Sequence, residues 1–450
     1  MAHNEIAEKE AATPREDTSD TTIHDADVTP AKDEEAQAQQ ANTEVPATAA
    51  IVPPLAPPPD GGRVAWSQVV AAHLVVFNTW GFVISYGIFQ PYYVQELGLD
   101  ASAISWIGSV QICLIVLVGV FSGRMFDAGY GKTMLVAGAV TQLVGIFTTS
   151  VAHEYWQFFL SQGLCQGIGC GLVFAPTIAN VSSYFVKRRT MAISLGACGG
   201  GTGGIVFPLM ARQLLPHISF GWTLRAMGLV ELVVYVIVLL LVRTRLPPRR
   251  SGPLVEIAAF KELPFSFFAL GMFFTLWATF FTYFYARAYA IDRLGGDAST
   301  SFNMLMVINV VGIPGRLVPA FIADKYFDAL TVLIPTVLGA GICVFAWAGV
   351  NTIGGQYGWI IFIGYFAAGI QSLFPSTIAS LSPDLSKVGT RIGMIFAICS
   401  IPNLTGPPLA GRLIAAGGGS YLGAQIWGGV CLFLGASLLY VAKYTRDNKK

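Results

Sequence analysis

The sequence predicts an all-α membrane protein with twelve transmembrane helices arranged as two six-helix lobes. Hydrophobic residues make up 54% of the 450 positions and charged residues only 12%, whereas a soluble domain carries about 25% charged residues. The apolar segments are many, and each approaches the ~20 residues that cross a hydrocarbon core about 30 Å thick. The longest internal polar stretch, "RTRLPPRRSGPLVEIAAFKELP", leaves six such segments on either side.

The first element, residues 1–60, is strongly acidic. It holds 13 of the 26 acidic residues, only three of the 27 Lys and Arg residues, and almost no aromatic ones. Such a composition cannot bury enough apolar surface to order itself, so we expect a disordered tail ending in the proline-rich linker "IVPPLAPPPD". No signal-peptide pattern opens the chain. We therefore expect the tail to stay in the cytosol, as a solvated spacer rather than a specific binding arm.

The apolar segments then follow in two sets of six, joined by a cytosolic linker at 244–264. The N-terminal lobe, 61–243, contains the spans 66–90, 104–123, 133–151, 157–181, 190–210 and 222–242. The C-terminal lobe, 265–445, contains the spans 265–287, 301–321, 331–350, 358–380, 390–412 and 422–442. Each span is long enough to cross the bilayer once.

Positive charge fixes the expected orientation. With the N-terminus inside, nineteen Lys and Arg residues outside the tail fall on the cytosolic side and five on the other. The nineteen include Arg316 and the triplet Lys187, Arg188 and Arg189, which we expect to anchor the inner end of the fifth span. Because cytosolic loops are enriched in Lys and Arg, both termini are predicted to be cytosolic.

Glycines recur every four residues in the fourth and fifth spans, as Gly163, Gly167 and Gly171, and as Gly196, Gly200 and Gly204. Small residues on one helix face let two backbones approach closely in lipid. The pattern fits static packing and helix motion equally well.

Two related acid–base turns occupy corresponding places in the halves. "GRMFDAGYGKT" carries Asp127 and Lys132 after the second span, and "GRLVPAFIADKY" carries Asp324 and Lys325 after the eighth. Repeated elements of this kind are typical of transporters built from internal repeats. We expect the four residues to form a breakable inner gate.

With these motifs, the chain resembles the major facilitator superfamily, and within it the monocarboxylate-porter branch common in fungi. The resemblance covers nearly all of residues 58–445 and is carried by "PDGGRVAW", "GRMFDAGY" and "YFVKRRTMAISLGACGGGTGG". It implies a two-lobed, alternating-access carrier whose central cavity is lined chiefly by spans one, four, seven and ten.

Three positions depart from the lactate–proton carriers of that branch. Those carriers resemble each other in a Lys late in the first span and an Asp-x-x-x-Arg pair in the eighth. Alignment by eye places Gln90, Asn309 and Ile313 at these positions. The usual apparatus for a small carboxylate is then missing, and the amides would suit a neutral or larger polar solute.

Other polar residues inside the spans are candidates for solute contact or coupling. Arg287 ends the aromatic seventh span, either as a snorkelling arginine or as a group that captures an anion or polar solute. Glu231 lies in the sixth span, where it could pair with Arg225 or couple a proton. The remaining candidate cavity residues are Asn78, Tyr86, Gln166, Tyr283, Tyr285, Gln371 and Asn403.

These observations favour a secondary active transporter of a small organic solute in the plasma membrane. Export of a fungal secondary metabolite, or movement of a carboxylate-bearing relative, is the leading interpretation, and uptake of a monocarboxylate or a riboflavin-like nutrient is the alternative. A non-transporting receptor is the rival from another class. No Walker loop, HExxH or C-x-x-C pattern occurs, so we expect no enzyme activity, cofactor, metal or nucleic-acid partner. The expected partners are the solute, the lipid bilayer and, in one version, a coupling proton, and the protein is expected to be monomeric.

Overall fold

A computed structural model describes residues 57–98, 101–245, 247 and 254–448. The predicted tail up to residue 56 and part of the linker lie outside these ranges. The described residues form an all-α protein, which confirms the predicted fold class. Residues 56–450 form one compact unit, so the boundaries of the two lobes stay a prediction, and we refer below to an N-terminal and a C-terminal half.

The N-terminal half contains six membrane helices, some with wide π-helical turns. They are α1 (Gly62–Val76 and Phe82–Leu97, joined by the π-turn Phe77–Gly81), α2 (Ala101–Leu117 and Gly119–Met125), α3 (Gly131–Thr149), α4 (Tyr155–Tyr184), α5 (Arg189–Leu214) and α6 (Phe220–Leu241).

The C-terminal half also contains six membrane helices. They are α7 (Leu263–Asp292), α8 (Ala298–Lys325), α9 (Ala329–Trp347), α10 (Ile353–Ser380), α11 (Val388–Ala416) and α12 (Leu422–Asp447). The 3₁₀ turns Ile257–Lys261 and Leu385–Lys387 precede α7 and α11.

The second and third predicted spans follow each other almost without a loop. Residues Ile104–Thr149 form 46 residues of nearly continuous helix, which would be about 69 Å long if straight, far beyond a bilayer core. Gly129 interrupts the helix with φ 92° and ψ 3°, a conformation that glycine adopts at little cost. Among the described residues, eleven apolar helices are long enough to cross a membrane if Ile104–Thr149 is counted as one. Because this helix is long enough for two crossings, the total is twelve.

Glycines bring the helices together, as the spacing predicts. A side chain at Gly171 would meet the Leu114 carbonyl oxygen at 2.7 Å, so α4 lies directly against α2. On α5 the closest approach to α1 comes from a face that the spacing does not single out. A side chain at Gly203 would lie 2.5 Å from the Phe77 carbonyl oxygen, whereas Gly204 faces Asn309 of the other half.

The two halves meet through α2 against α11 and α5 against α8. Gly119 and Gly123 of α2 face Gly389 and Gly393 of α11. Side chains at Gly123, Gly389 and Gly393 would collide with the opposing backbone. Both pairs have the small-xxx-small spacing that lets helix backbones approach in lipid. This contact lies at the end of the molecule that carries Asp127 and Asp324, which we call the latch face.

Candidate solute-binding site

Two chambers lie between the halves, near the middle of the helices. The Arg287 chamber has a volume of about 130 Å³ and the Phe396 chamber about 70 Å³, measured as the space open to the centre of a water molecule. Their walls come from α1, α2, α4, α5, α7, α8, α10 and α11. The resemblance implies α1, α4, α7 and α10 as the main walls, and the structure adds a contribution from the other four.

Four residues border both chambers and separate them. The Trp80 ring of α1 stacks on the Phe280 ring of α7, with centroids 6.0 Å apart and planes 17° apart. Beside them, Arg316 of α8 donates through Nη2 to Oε1 of Gln371 on α10, at 3.1 Å. We call this group the septum. The Trp80–Phe280 ring pair of the septum joins the two halves, and the Arg316–Gln371 hydrogen bond joins α8 to α10 within the C-terminal half.

Arg316 does not lie at the cytosolic surface, so its place among the nineteen inner cations is wrong. It lies nine residues before the end of α8, about 13 Å along the helix axis, and its side chain is buried. Nη1 donates to the Gly312 carbonyl oxygen at 3.0 Å, and Nε has no hydrogen-bond partner among the described atoms. With Arg316 removed from the nineteen, eighteen cations against five still support the orientation.

Arg287 lines the chamber that bears its name. Its Nη2 donates to the Gly87 carbonyl oxygen of α1 at 3.1 Å, and its Nε donates to Ser301 Oγ at 3.2 Å. The guanidinium thus reaches across to the N-terminal half, which does not fit the snorkelling alternative, and its role in solute capture stays a prediction. The described walls of the two chambers hold Arg287 and Arg316 but no Asp or Glu.

Five of the other candidate residues lie on these walls. Tyr86, Tyr283 and Asn309 line the Arg287 chamber, Asn403 lines the Phe396 chamber, and Gln371 borders both. Asn403 Oδ1 is buried without a hydrogen-bond partner among the described atoms. The hydroxyl of Tyr86 donates to the Ile104 carbonyl oxygen, so its ring is held as a fixed part of the wall.

Three candidates lie elsewhere, and we assign them to packing. The amide of Asn78 donates to the Glu231 backbone carbonyl at 3.0 Å, and Gln166 accepts from Gln111 Nε2 at 3.4 Å. Tyr285 donates to the Pro407 carbonyl oxygen at 3.1 Å. All three face helices of their own half. The prediction missed this because the polarity of a single residue does not reveal which side of an apolar helix faces the cavity.

Gln90 and Ile313 are the other two positions that depart from the lactate–proton carriers, and the structure describes only the side chain of Ile313. The side chain of Gln90 lies outside the described part, so its solute-binding role stays a prediction. Ile313 packs against α5, with Cγ1 3.3 Å from the position of a side chain at Gly201. Arg316 therefore lies one helical turn beyond the position where the resemblance expects an arginine.

Glu231 is fully buried within the N-terminal half. Its Oε2 accepts from Gln142 Nε2 at 3.2 Å, and its Oε1 has no hydrogen-bond partner among the described atoms. The expected alternative pairing with Arg225 is wrong, because Arg225 donates to Ser150 Oγ at 3.2 Å and lies over the Trp222 ring.

Asp127 and Asp324 each bind the N-terminus of a helix from the other half. Asp127 accepts from the backbone N–H groups of Gly389 at 3.1 Å and Thr390 at 2.7 Å, and from the Thr390 hydroxyl at 2.7 Å. Asp324 accepts from the N–H groups of Thr190 at 3.0 Å and Met191 at 2.7 Å. Carboxylates are favoured at helix N-termini, where free N–H groups and the helix dipole converge. The latch face is therefore closed by two related contacts.

The lysines of the predicted gate do not take part. Lys132 is exposed and forms no ion pair with another described residue, and Lys325 places Nζ 5.2 Å from the centre of the Phe321 ring. The prediction that Lys132 and Lys325 belong to the gate is not met in this closed arrangement, because the two acids bind backbone N–H groups across the interface instead of the neighbouring amines.

The cationic triplet lies on the latch face, and its members differ. Lys187 and Arg188 are exposed, as expected of topology anchors. Arg189 reaches the other half, where Nη1 donates to the Ala379 carbonyl oxygen at 3.1 Å. The carboxylate of Asp60, from "PDGGRVAW", accepts from the Lys187 N–H at 2.8 Å. This contact ties the start of α1 to the α4–α5 loop and gives that motif a structural role.

The linker adds a charge cluster that sequence reasoning missed. Glu256 binds Lys387 at 2.7 Å and Arg391 at 3.1 Å, and Glu262 binds Arg391 at 2.6 Å. Burial alone would raise the pKa of Glu256, but the hydrogen bonds from Lys387 and Arg391 outweigh it and hold the pKa below 4.5. The signal available in the sequence was the pair of acids in an otherwise basic linker.

Comparison with known proteins agrees with this architecture. The family model described as the Major Facilitator Superfamily matches residues 71–385. An "MFS-type transporter" of Gibberella zeae is 45% identical over 391 residues, covering 86% of this chain and 88% of the relative. The "Aspyridones efflux protein apdF" of Emericella nidulans is 34% identical, covering 87% and 81%. The crystal structure of the human organic anion transporter MFSD10 has the same fold, with a TM-score of 0.69 at 13% identity over 85% of this chain and all of that one.

Proposed function

The chain belongs to the Major Facilitator Superfamily and is a membrane transporter, and from that premise we propose that it exports a small acidic organic metabolite by alternating access. The relatives support export, since one of them is named as an efflux protein for aspyridones. The motifs "PDGGRVAW" and "YFVKRRTMAISLGACGGGTGG" support membership of the monocarboxylate-porter branch. The charge asymmetry of eighteen against five supports an orientation with both termini in the cytosol, and we propose the plasma membrane as the site of export.

The pair of guanidiniums without a carboxylate carries the proposal on solute chemistry. Arg287 and Arg316 both line chambers whose described walls hold no acidic residue. A buried charge is costly unless it is paired and hydrogen-bonded. An incoming carboxylate or enolate would supply the missing negative charge, and guanidinium geometry suits two-point binding of such a group.

The Phe396 chamber supports a flat apolar body attached to that acidic group. The Phe174 ring stacks on the Phe396 ring with centroids 5.6 Å apart, and Phe374 lies 5.3 Å away. A small acid such as lactate would reach an arginine but leave these rings without a partner. We therefore expect lactate to be a poor substrate. The reason is the apolar, aromatic character of the chamber, since a positive charge is present.

The septum accounts for how the solute would pass. Both chambers are smaller than the ~300–1,000 Å³ typical of sites for drug-sized ligands, so a bound metabolite needs them joined. An acidic group that competes with Gln371 for Arg316 would release the hydrogen bond between α8 and α10. Parting of Trp80 from Phe280 would then join the chambers. The closed latch face would open in the opposite phase of the cycle.

Deletion of the gene from the source organism tests the proposal and does not require the solute to be identified first. We expect at least one acidic metabolite to rise in the cells and fall in the medium, as measured by mass spectrometry. Wild-type protein should reverse the change and Arg316→Gln should not, at equal surface level. Arg412→Gln is the matched control because Arg412 is exposed on α11, away from both chambers. No redistribution, or redistribution of neutral compounds only, would contradict the proposal.

A further inference from the structure

A buried polar cluster lies between the septum and the outer helices of the N-terminal half. It is centred on Glu231 of α6, whose side chain has no exposed surface. Gln142 of α3 donates through Nε2 both to Glu231 Oε2 at 3.2 Å and to the Asn78 backbone oxygen at 2.9 Å. Tyr235 donates its hydroxyl to Gln142 Oε1. The cluster thus connects α1, α3 and α6.

From this geometry we infer that Glu231 is a proton-binding site that sets the position of Trp80 during the transport cycle. The inference rests on the proposed function for its purpose, but the contacts on which it stands are independent of the solute.

The surroundings of the carboxyl offer no compensating charge. The groups that face it are Asn78 from α1, Gln142 from α3, Cys170 from α4 and Tyr235 from α6. Among the described residues, no hydrogen bond or ion pair joins the Glu231 carboxyl to a Lys, Arg or His. An ionised carboxylate buried without a cation is strongly disfavoured. The neutral acid is the form that this environment can hold.

The acceptor atoms of the cluster that lack a hydrogen-bond partner also favour the neutral acid. Glu231 Oε1 and Asn78 Oδ1 are both buried without a hydrogen-bond partner among the described atoms. A carboxylate only accepts hydrogen bonds, whereas a protonated carboxyl also donates one. A proton on Glu231 therefore adds the one donor that a cluster with excess acceptors lacks.

The link to the solute pathway runs through the π-turn of α1. Asn78 and Trp80 both belong to the turn Phe77–Gly81. Asn78 is held on the α6 side by its bond to the Glu231 backbone oxygen at 3.0 Å, while Trp80 faces Phe280 in the septum. Wide turns of this kind occur frequently at functional sites. A rearrangement of the polar cluster would therefore move the backbone that carries Trp80.

The step itself is a simple exchange. The carboxylate of Glu231 accepts one proton from a hydronium ion in the state in which the cluster is hydrated, leaving a water molecule, and returns the proton to water as hydronium in the opposite state. No other bond forms or breaks. Coupled to export of an anion, uptake of one proton from outside would let the proton gradient drive the cycle.

Fluorine NMR of the full-length protein tests the inference, with pH as the only variable and no solute added. Tryptophan is replaced by 5-fluorotryptophan at all nine positions, and the Trp80 resonance is identified by its absence in Trp80→Phe. We expect this resonance to shift with pH along a single titration curve in the wild-type protein. The shift should be lost in Glu231→Gln and kept in Glu154→Gln, an exposed glutamate outside the cluster.

Infrared spectroscopy of the same samples provides the second measurement. We expect the wild-type protein to show the C=O stretch of a protonated carboxyl, and Glu231→Gln to lack it. A Trp80 resonance that does not respond to pH, or that responds equally in Glu231→Gln, would overturn the inference. So would spectra in which the substitution removes no protonated-carboxyl band. Because no solute is added, a negative result here leaves the export proposal to its own test.

Discussion

Replacement of Asp127 by alanine should open the latch face. In the closed arrangement its carboxylate accepts three hydrogen bonds from Gly389 and Thr390 at the start of α11. These contacts join the two halves and exist only while they are closed at this end. The loss therefore falls on the closed state alone, and the balance between closed and open forms must shift.

The size of that shift follows from the contacts. Hydrogen bonds to charged groups contribute about 1.5–3 kcal/mol each, but the freed N–H groups at the end of α11 regain water once the face opens. Loss of a helix N-cap costs about 0.5–2 kcal/mol, and the charge at the helix N-terminus adds about 0.3–1 kcal/mol. We take about 2 kcal/mol, which corresponds to about a 30-fold change in the ratio of closed to open molecules.

Distance measurements across the latch face provide the assay. Spin labels are attached to Arg188→Cys and Pro383→Cys, two exposed positions on opposite halves, in a variant that lacks the native cysteines. Pulsed electron–electron resonance then reports the closed and open populations. We expect Asp127→Ala to raise the ratio of the long-distance to the short-distance population about 30-fold, and Asp324→Ala to act in the same direction.

Lys132→Ala is the matched control, because Lys132 belongs to the same turn but is exposed and unpaired among the described residues. It should leave the distance distribution unchanged. An unchanged distribution in a well-folded Asp127→Ala protein, or a shift in Lys132→Ala of similar size, would refute the assignment of the latch to the helix N-termini.

Three further changes test the latch face, the linker charge cluster and the topology. Gly393→Leu should hold the latch face apart and slow transport strongly, because the new side chain would collide with the Gly119 carbonyl oxygen. Overpacking of this kind costs about 1–3 kcal/mol, and the same pair of spin labels measures the opening. The pKa of Glu256 is held below its ordinary value of 4.5, so its contribution to the stability of the fold is present above pH 4.5 and is lost as the pH falls through the lowered pKa. Thermal unfolding should therefore show a steeper loss of stability in acid for the wild-type protein than for Glu256→Gln. Equal slopes would contradict this. A single cysteine at Ala298 should react with an impermeant reagent on intact cells and one at Thr43 should not, and labelling of Thr43 would reverse the topology.

The sequence was sufficient for the fold because lipid imposes simple rules on a chain. Each span must be apolar and long enough to cross the bilayer, so composition reveals the number of crossings. It does not reveal their ends: α7 was expected at 265–287 but runs Leu263–Asp292, because helices continue past the hydrocarbon core on polar and aromatic residues. The near-absence of a loop between α2 and α3 also has a local cause, the break at Gly129.

The site was harder to predict because an apolar helix carries little sign of which face looks inward. Asn78 and Trp80 are two residues apart on α1, yet Asn78 faces α6 and Trp80 borders both chambers. Arg316 was placed at the surface because cations near a helix end usually lie there. The latch acids were found from their repeated turns. Their partners were missed, because backbone N–H groups leave no mark in the sequence.

The most direct test of solute binding by Arg316 is uptake of the redistributed acidic metabolite into inside-out membrane vesicles that carry the protein. Arg316 is the group on which the solute assignment depends, since it borders both chambers and its Nε has no partner among the described atoms. We expect saturable uptake by the wild-type protein and normal uptake for Arg412→Gln. Arg316→Gln should lose about ten- to hundred-fold in apparent affinity, as expected for a charge-assisted hydrogen bond of about 1.5–3 kcal/mol. Uptake that Arg316→Gln leaves unchanged would contradict the central claim that this buried arginine binds the transported acid.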